Sequence, residues 1–421
     1  MELNETEELL KSHLRENNLL QDEPRSWIVG RSPLGGRGIF ATRDIRANEL
    51  IFIDVPLLIG PRCYNKYLPM CVVCYKNNCA LFPCDHGCGL PICSAECIDL
   101  LKRNVAKLPS EEQMELMRRT CGVFNTNSFE VVVVPSRDND YTTSLRGLYP
   151  MGALQNHCCV PNTRHHFDDQ QRLYVSAVLP IAAGEEITMS YTDLLWDTSS
   201  RRQFLKVTKR FSCNCNRCSD PLEFGSQLST LLCAKDNCSG CLLPRNPLNH
   251  ESSWICDKCQ ISVNYRQVIE CIHSGLNTFV SDAMYKTPRE ILRFTEAILS
   301  RLVPATNYIM MDMKYRIISY FGRVPDLKWE NLTDTELRIK KMYCDDILSV
   351  LDTLGSGDSI KKGLVLYELY RTSLELFKRQ ISDNDEQTYL HIKNDDNEQL
   401  LKEAMSILQN DVGAVCVRKS D

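Results

Sequence analysis

Twenty-two cysteines place the strongest constraint on this chain of 421 residues. Eight of them, Cys63, Cys71, Cys74, Cys79, Cys84, Cys88, Cys93 and Cys97, fall within one short stretch, and eight more lie between residues 213 and 259. The N-terminus, MELNETEELLKSHLRENN, is polar, acid-rich and helix-like; it has neither the apolar stretch of a secretory signal nor the Arg-rich character of a transit peptide. An intracellular, reducing compartment is therefore expected, and there thiols clustered two to four residues apart point to zinc rather than to disulfides. A Cys-x2-Cys turn presents two thiolates to one ion, and a structural zinc takes four ligands.

The spacings suggest which thiols share an ion. Cys71-x2-Cys74 followed by Cys84-x3-Cys88-x4-Cys93-x3-Cys97 reads as interleaved, with Cys71 and Cys74 joining Cys93 and Cys97. Cys84 and Cys88 would open a second site, for which Cys79 and His86 are the local substitute ligands and Cys121 is the next cysteine downstream. Cys233-x4-Cys238 and Cys256-x2-Cys259 read as two knuckles of a ribbon around a hairpin, complete in themselves, with Cys241 spare. Cys213-x-Cys215-x2-Cys218 lacks a fourth ligand. The stretch GALQNHCCVPN (152–162) holds adjacent Cys158 and Cys159, which cannot easily bond each other, so this pair is the natural donor. Three or four zinc ions per chain are expected.

Residues 27–60 carry strand signals broken by Gly and Pro, and strand signals return over 121–195 in FEVVVV, RLYVSAVL and EITMSY. From about 265 to 415 the pattern is helical. Leu366, Leu369, Tyr370, Leu374 and Phe377 form one stripe, and Leu400, Leu401, Ala404, Met405 and Leu408 another. No run approaches the roughly eighteen apolar residues of a membrane span. The net charge of −5 gives no reason to expect nucleic acid. The ribbon has few cations (Lys235, Arg245, Lys258), and Trp254 is its one candidate exposed aromatic. The basic run RRQFLKVTKRF (201–211), beside the 213–218 thiols, reads as charge compensation, with attraction of acidic substrate surfaces as the alternative.

Several of these segments resemble one family. NHCCVPN (156–162) resembles the NHSCxPN motif of SET-domain lysine methyltransferases, GEEITMSY (184–191) their GEE…Tyr segment, and CNCNRC (213–218) their post-SET CxCxxC. GGRGIFA (35–41) resembles the start of a SET domain, and the cysteine cluster after it a MYND finger. Residues 27–421 are thus similar to the SET–MYND methyltransferases, and most to the arthropod SmydA class. The resemblance implies an α+β fold: a β-rich SET domain with a pseudoknot, split into 27–62 and 119–195. A MYND-type finger with a following helical segment (63–118) would lie between the halves, and an N-terminal helical segment (1–26) before them. A post-SET segment (196–220), a zinc ribbon-like module (221–264) and a helical, TPR-like C-terminal domain (265–421) would follow.

The resemblance further implies S-adenosylmethionine-dependent N-methylation of a histone or non-histone protein lysine. The alternative is a non-catalytic scaffold that binds protein partners through the finger and the helical domain. Gly36, Arg37, Gly38, Asn127, Asn156, His157, Tyr191 and Phe211 stand at cofactor-binding positions. Tyr191 is the active-site tyrosine, and Tyr149 stands near the cofactor and the lysine channel. Cys159 takes the zinc-ligand position with Cys213, Cys215 and Cys218, while Cys158 replaces the family serine. Residues 98–120 hold neither His nor Cys, so the finger departs from the usual His-x3-Cys ending. A cytoplasmic or nuclear location, or both, is expected.

Overall fold

The computed structural model describes the whole chain except residues 1, 21–23, 62–69, 75, 77–78, 85–89, 105–109, 134–142, 269–273, 284, 382–387, 409–410 and 412–421. The chain forms two compact units. The first comprises Met1–Asn156, His165–Ile187 and Asn410–Asp421, and the second His157–Arg164 and Thr188–Gln409.

In the first unit, strand Trp27–Arg31 pairs antiparallel with Arg37–Ala41, and Val29 faces Ile39. The connecting turn places Gly35 and Gly36 at φ of +133° and +69°, where a side chain would be strained. Arg37–Ala41 also pairs with the strand beginning at Glu186, with Glu186 opposite Phe40. Trp27, Ile39, Ala41 and Ile187 bury one face of these strands. Leu50–Asp54 pairs with Leu173–Ala177, and Thr143–Leu148 lies between Leu58–Pro61 and Phe129–Val133.

Helix Leu3–Glu16 is fastened to this framework by polar contacts. Trp27–Arg31 is an edge strand, and Glu7 accepts from its Val29 N–H at 3.2 Å, blunting that edge. Arg37 Nη1 donates to Thr6 Oγ1 at 2.7 Å. His13 Nε2 lies 3.0 Å from the fully buried Asp54 carboxylate. The other oxygen of Asp54 accepts from Met151 N at 2.7 Å and Gly152 N at 3.1 Å. It thereby caps helix Pro150–Leu154, whose own N-cap residue, Tyr149, provides no side-chain bond. That helix leads directly into Asn156.

The finger contains the pair Phe82–Pro83 and Pro91–Ile92, followed by helix Ala95–Asn104. A further helix, Glu111–Asn127, starts on a Ser110–Gln113 capping box. Strand signals suggest extended chain from about 121. The helix instead persists to Asn127, because nothing in TCGVFNTN stops it before Ser128 turns extended at ψ 148°.

The second unit opens with helix Thr198–Thr208, capped by Asp197, and the short helix Asn216–Ser219. A four-stranded antiparallel ribbon follows: Leu231–Leu232, Cys241–Pro244, Trp254–Cys256 and Ser262–Val263. Trp254, expected as an exposed aromatic, is buried in the same core as Leu231, Leu242 and Val268. Along strand Trp254–Cys256 it shares the buried face with Cys256, while Ile255 takes the other face. Helices Tyr308–Tyr320, Asp334–Thr353, Ile360–Ile381 and Thr388–Leu408 carry the rest of the core, with Leu366, Leu369, Phe377, Ala404 and Leu408 inside as the stripes suggest. A Cβ at Gly363 would sit 2.8 Å from Ile407, so glycine permits the last two helices to approach closely.

Candidate active site and thiolate centres

Within the first unit, the glycine-rich turn meets Asn156. Asn156 Nδ2 donates to the Arg37 carbonyl at 2.9 Å and to Glu186 Oε1 at 2.7 Å, and Ser32 Oγ donates to Glu186 Oε2 at 2.7 Å. Gly38 is buried against this network, and an added Cβ would run into the Glu186 carboxylate. At Gly35 and Gly36, by contrast, an added Cβ would meet nothing within 4 Å. Glu186 therefore ties the strand to Asn156, while the turn at Gly35 and Gly36 stays open and leaves room for a ligand to come close to the backbone. Sequence reasoning does not single out Glu186 or Ser32; the available signal is the second glutamate of GEE, which reads only as part of a motif.

The other sequence-selected residues of this unit are committed differently. Tyr149 is fully buried, its hydroxyl donates to the Gln171 carbonyl at 2.6 Å, and burial pushes its pKa upward. It stands edge-on to Phe129 and builds the core here. Asn127 ends its helix with Nδ2 bonded to the Val123 carbonyl at 2.9 Å.

In the second unit, His157 and Tyr191 form a connected pair. The Tyr191 N–H donates to His157 Nδ1 at 3.0 Å, which leaves the proton of the neutral ring on Nε2. Nε2 lies 3.2 Å from Cys159 Sγ, so it donates to that sulfur. Burial lowers the His157 pKa to about 4, which keeps the ring neutral. The Tyr191 and Phe211 rings lie 5.3 and 6.0 Å from the imidazole. Phe211 is 38% exposed. Lys209 Nζ sits 5.0 Å from the Tyr191 ring centroid, a cation–π placement.

His157 thus leads into a thiolate centre in which Cys159 joins Cys213, Cys215 and Cys218, all four sulfurs within 4.8 Å of one another. Cys159 Sγ is 3.9 Å from Cys213 and 3.5 Å from Cys218. The edge of a tetrahedron of sulfurs around zinc is about 3.8 Å, from Zn–S bonds of about 2.3 Å, so the set fits that ion. Cys158 lies outside it, with its N–H on the Met189 carbonyl at 2.9 Å. Burial raises its thiol pKa, as for an inert packing cysteine.

Two further groups fit the same test. Cys71, Cys74, Cys93 and Cys97 gather within the finger, and Cys233, Cys238, Cys256 and Cys259 within the ribbon. Cys93–Cys97 is 3.8 Å, and both Cys233–Cys259 and Cys238–Cys256 are 3.7 Å. Cys84 is buried in the finger's apolar cluster with Cys71, Ile92 and Cys97, while Cys88 lies outside the described residues. Cys241 stays out of the ribbon group, and its N–H pairs with Asp257 at 2.8 Å.

The basic run 201–211 divides by position. Arg201 is fully buried and points its guanidinium at the thiolate centre, whereas Arg202 holds the Cys213 carbonyl at 2.9 Å and the Leu248 carbonyl at 2.6 Å. Buried Arg217 and Glu223 complete the surroundings of Arg201; neither stands out in the sequence, because isolated charges normally read as surface.

Comparison with known proteins matches the SET domain family over residues 36–192. SET domain-containing protein SmydA-8, isoform B, of Drosophila melanogaster is 31% identical over 437 residues, covering 87% of this chain and 94% of that protein. Histone-lysine N-methyltransferase ASHR1 of Arabidopsis thaliana is 33% identical over 137 residues, or 31% of this chain and 28% of that protein. N-lysine methyltransferase SMYD2-B of Xenopus laevis is 27% identical over 222 residues, 52% of this chain and 44% of that protein.

Proposed function

This chain belongs to the SET-domain proteins of the SmydA type, and from that premise we propose that it is a protein-lysine N-methyltransferase using S-adenosylmethionine. The observation that carries the reading is the continuous path Tyr191–His157–Cys159, which joins the expected catalytic tyrosine to the thiolate centre. Names among the relatives, histone-lysine and N-lysine methyltransferase, support the same substrate class.

When bound, S-adenosylmethionine supplies an electrophilic methyl on a sulfonium sulfur. The chain's own work is then chiefly positional, because transfer to an amine needs an in-line approach and a neutral nucleophile rather than an acid–base pair. Within the first unit, the open turn at Gly35 and Gly36, beside Asn156, is assigned to the cofactor. Tyr191, its backbone fixed by His157, presents its hydroxyl to orient the amine. Lys209 over the Tyr191 ring places a positive charge beside it, which disfavours the ammonium form of an incoming lysine. Tyr149, with its hydroxyl committed to Gln171, is assigned to packing.

The three thiol groups are assigned one zinc each, and a fourth ion would need ligands for Cys84 beyond the described residues. The substrate is a protein presenting a lysine. A methylation assay over a peptide library, comparing wild type with Tyr191→Phe, tests the reading. Turnover in the wild type with a loss of at least about a hundredfold in the variant is expected. Wild-type protein that binds no S-adenosylmethionine in calorimetry would overturn it.

A further inference from the structure

The charge run beside the thiols contains one arginine with no surface at all. Arg201 is 0% exposed, and its five N–H groups are fully used. Nε donates to Cys159 Sγ at 3.3 Å and Nη2 to Cys218 Sγ at 3.5 Å. Nη2 also donates to Thr198 Oγ1 at 3.0 Å, and Nη1 to the Trp196 carbonyl and to Glu223 Oε2 at 2.7 Å.

Glu223 is likewise fully buried and serves as the anchor. Its Oε2 also accepts from Arg217 Nε at 3.1 Å, and its Oε1 from Thr198 N at 3.1 Å and from Ser229 Oγ. Arg217 Nη1 in turn holds the Cys159 carbonyl at 3.1 Å, and its Nη2 the Leu194 carbonyl at 2.8 Å.

The electrostatics explain why such a costly arrangement is kept. A zinc ion with four thiolates carries a formal charge of minus two, and burying that charge without counter-ions is unfavourable. Two buried guanidiniums supply plus two. Glu223 holds both in place while adding one more negative charge, and the planar fork of Arg201 reaches two sulfurs at once. Hydrogen bonds to a metal-bound thiolate draw electron density off sulfur, which lowers its nucleophilicity and holds the ligand in one orientation.

We propose that Arg201 is a positioning residue of the Cys159–Cys213–Cys215–Cys218 centre, which keeps it closed and chemically quiet by N–H···S bonds that Glu223 holds in register. The proposal rests on the zinc reading of these four thiols and is independent of whether the chain transfers methyl groups.

Cobalt(II) reports on it in the full-length protein, because thiolate-to-cobalt charge transfer responds to hydrogen bonding at sulfur. The signal of this centre is isolated as the difference from Cys159→Ser. Arg201→Met should move that band to lower energy and weaken metal retention against a chromogenic chelator by about ten- to a hundredfold. Arg201→Lys, which keeps the charge and loses the fork, should fall between. Lys206→Gln, which removes an exposed charge from the same helix, should match wild type. A purely structural arginine would lower thermal stability without moving the band, so a wild-type band and release rate in Arg201→Met overturns the proposal. Should Arg201→Met not fold, Arg201→Lys decides in its place: a shifted band supports the proposal and an unshifted one overturns it. If Cys159→Ser loses no metal, the zinc reading fails first, and the proposal falls with it.

Discussion

The post-SET centre and the finger centre each gather four cysteines, and both use backbone N–H groups to stabilise thiolate charge. Among the described residues, the post-SET centre adds buried side-chain donors. In the finger, burial opposes ionisation of Cys71, but the backbone N–H groups of Cys74, Val73 and Cys93 prevail and help lower its pKa to about 6. Cys74 is exposed, and among the described residues no cationic side chain reaches a finger sulfur. The ribbon resembles the finger in this respect: Gly240 N lies 3.4 Å from Cys238 Sγ and Cys259 N 3.5 Å from Cys256 Sγ. In the post-SET centre, buried Arg201 and His157 address the sulfurs through their side chains, and Cys159 comes from more than fifty residues away in sequence. A knuckle built from its own backbone is a local device that needs only its spacing. A centre closed by distant side chains couples its metal to the parts of the chain that supply them.

The contrast is tested most severely at the ligands. Cys159→Ser should remove one zinc by elemental analysis and unfold the 196–220 segment, since structural zinc contributes on the order of 10 kcal/mol. Cys74→Ser should also remove one zinc but leave the post-SET centre intact by limited proteolysis. Equal damage from both would dissolve the distinction.

Next in size is the anchor. Glu223→Gln turns one of the two acceptor oxygens shared by Arg201, Arg217, Thr198 and Ser229 into a donor facing donors, and should cost about 1–3 kcal/mol in urea unfolding. A substitution near a knuckle, such as Lys258→Gln, which loses only an exposed contact to Ser239 at 2.8 Å, should cost less than about 0.5 kcal/mol.

Asp54 offers a similar remote-support case in the first unit. Asp54→Asn weakens the cap on Met151 and Gly152 and should cost about 2 kcal/mol. Its partner His13 has a raised pKa, chiefly from the hydrogen bond to Asp54. The stability His13 confers is therefore fully present below its unfolded pKa, about 6.5. It is lost as pH rises through the higher folded value. The gap between wild type and His13→Ala should be widest in mild acid and narrow toward alkaline pH; a pH-independent gap would contradict the ion pair.

Smaller effects are expected at two neighbours of the site. Lys209→Met should reduce methylation roughly threefold near neutral pH and recover at alkaline pH, where the substrate amine is neutral without help. Cys158→Ser should change zinc content not at all and stability by less than about 1 kcal/mol, as expected of a thiol outside the ligand set.

How far the sequence can be read follows the same division between local and remote devices. The finger and ribbon sets are legible because gaps of two to four residues encode a knuckle directly. Cys159 is legible only because three thiolates lack a fourth and a motif supplies it. Arg201, Arg217 and Glu223 are not, since nothing in RRQFLKVTKRF separates the one buried arginine from its solvated neighbours until helix Thr198–Thr208 is placed. Glu186 and Asp54 escape for the same reason, being ordinary strand-end carboxylates whose partners lie 30 and nearly 100 residues away. Trp254 reads wrongly as exposed because a ribbon's inner and outer faces look alike in so short a strand. The 121–127 segment reads wrongly as extended because its β-prone residues continue a helix already started at Ser110.

Calorimetry of S-adenosylmethionine binding to wild type, Cys159→Ser and Cys74→Ser is the sharpest single test. If Tyr191, His157 and the post-SET centre form one working site, wild type and Cys74→Ser bind and Cys159→Ser does not. Unchanged binding in Cys159→Ser, or none in the wild type, would contradict it.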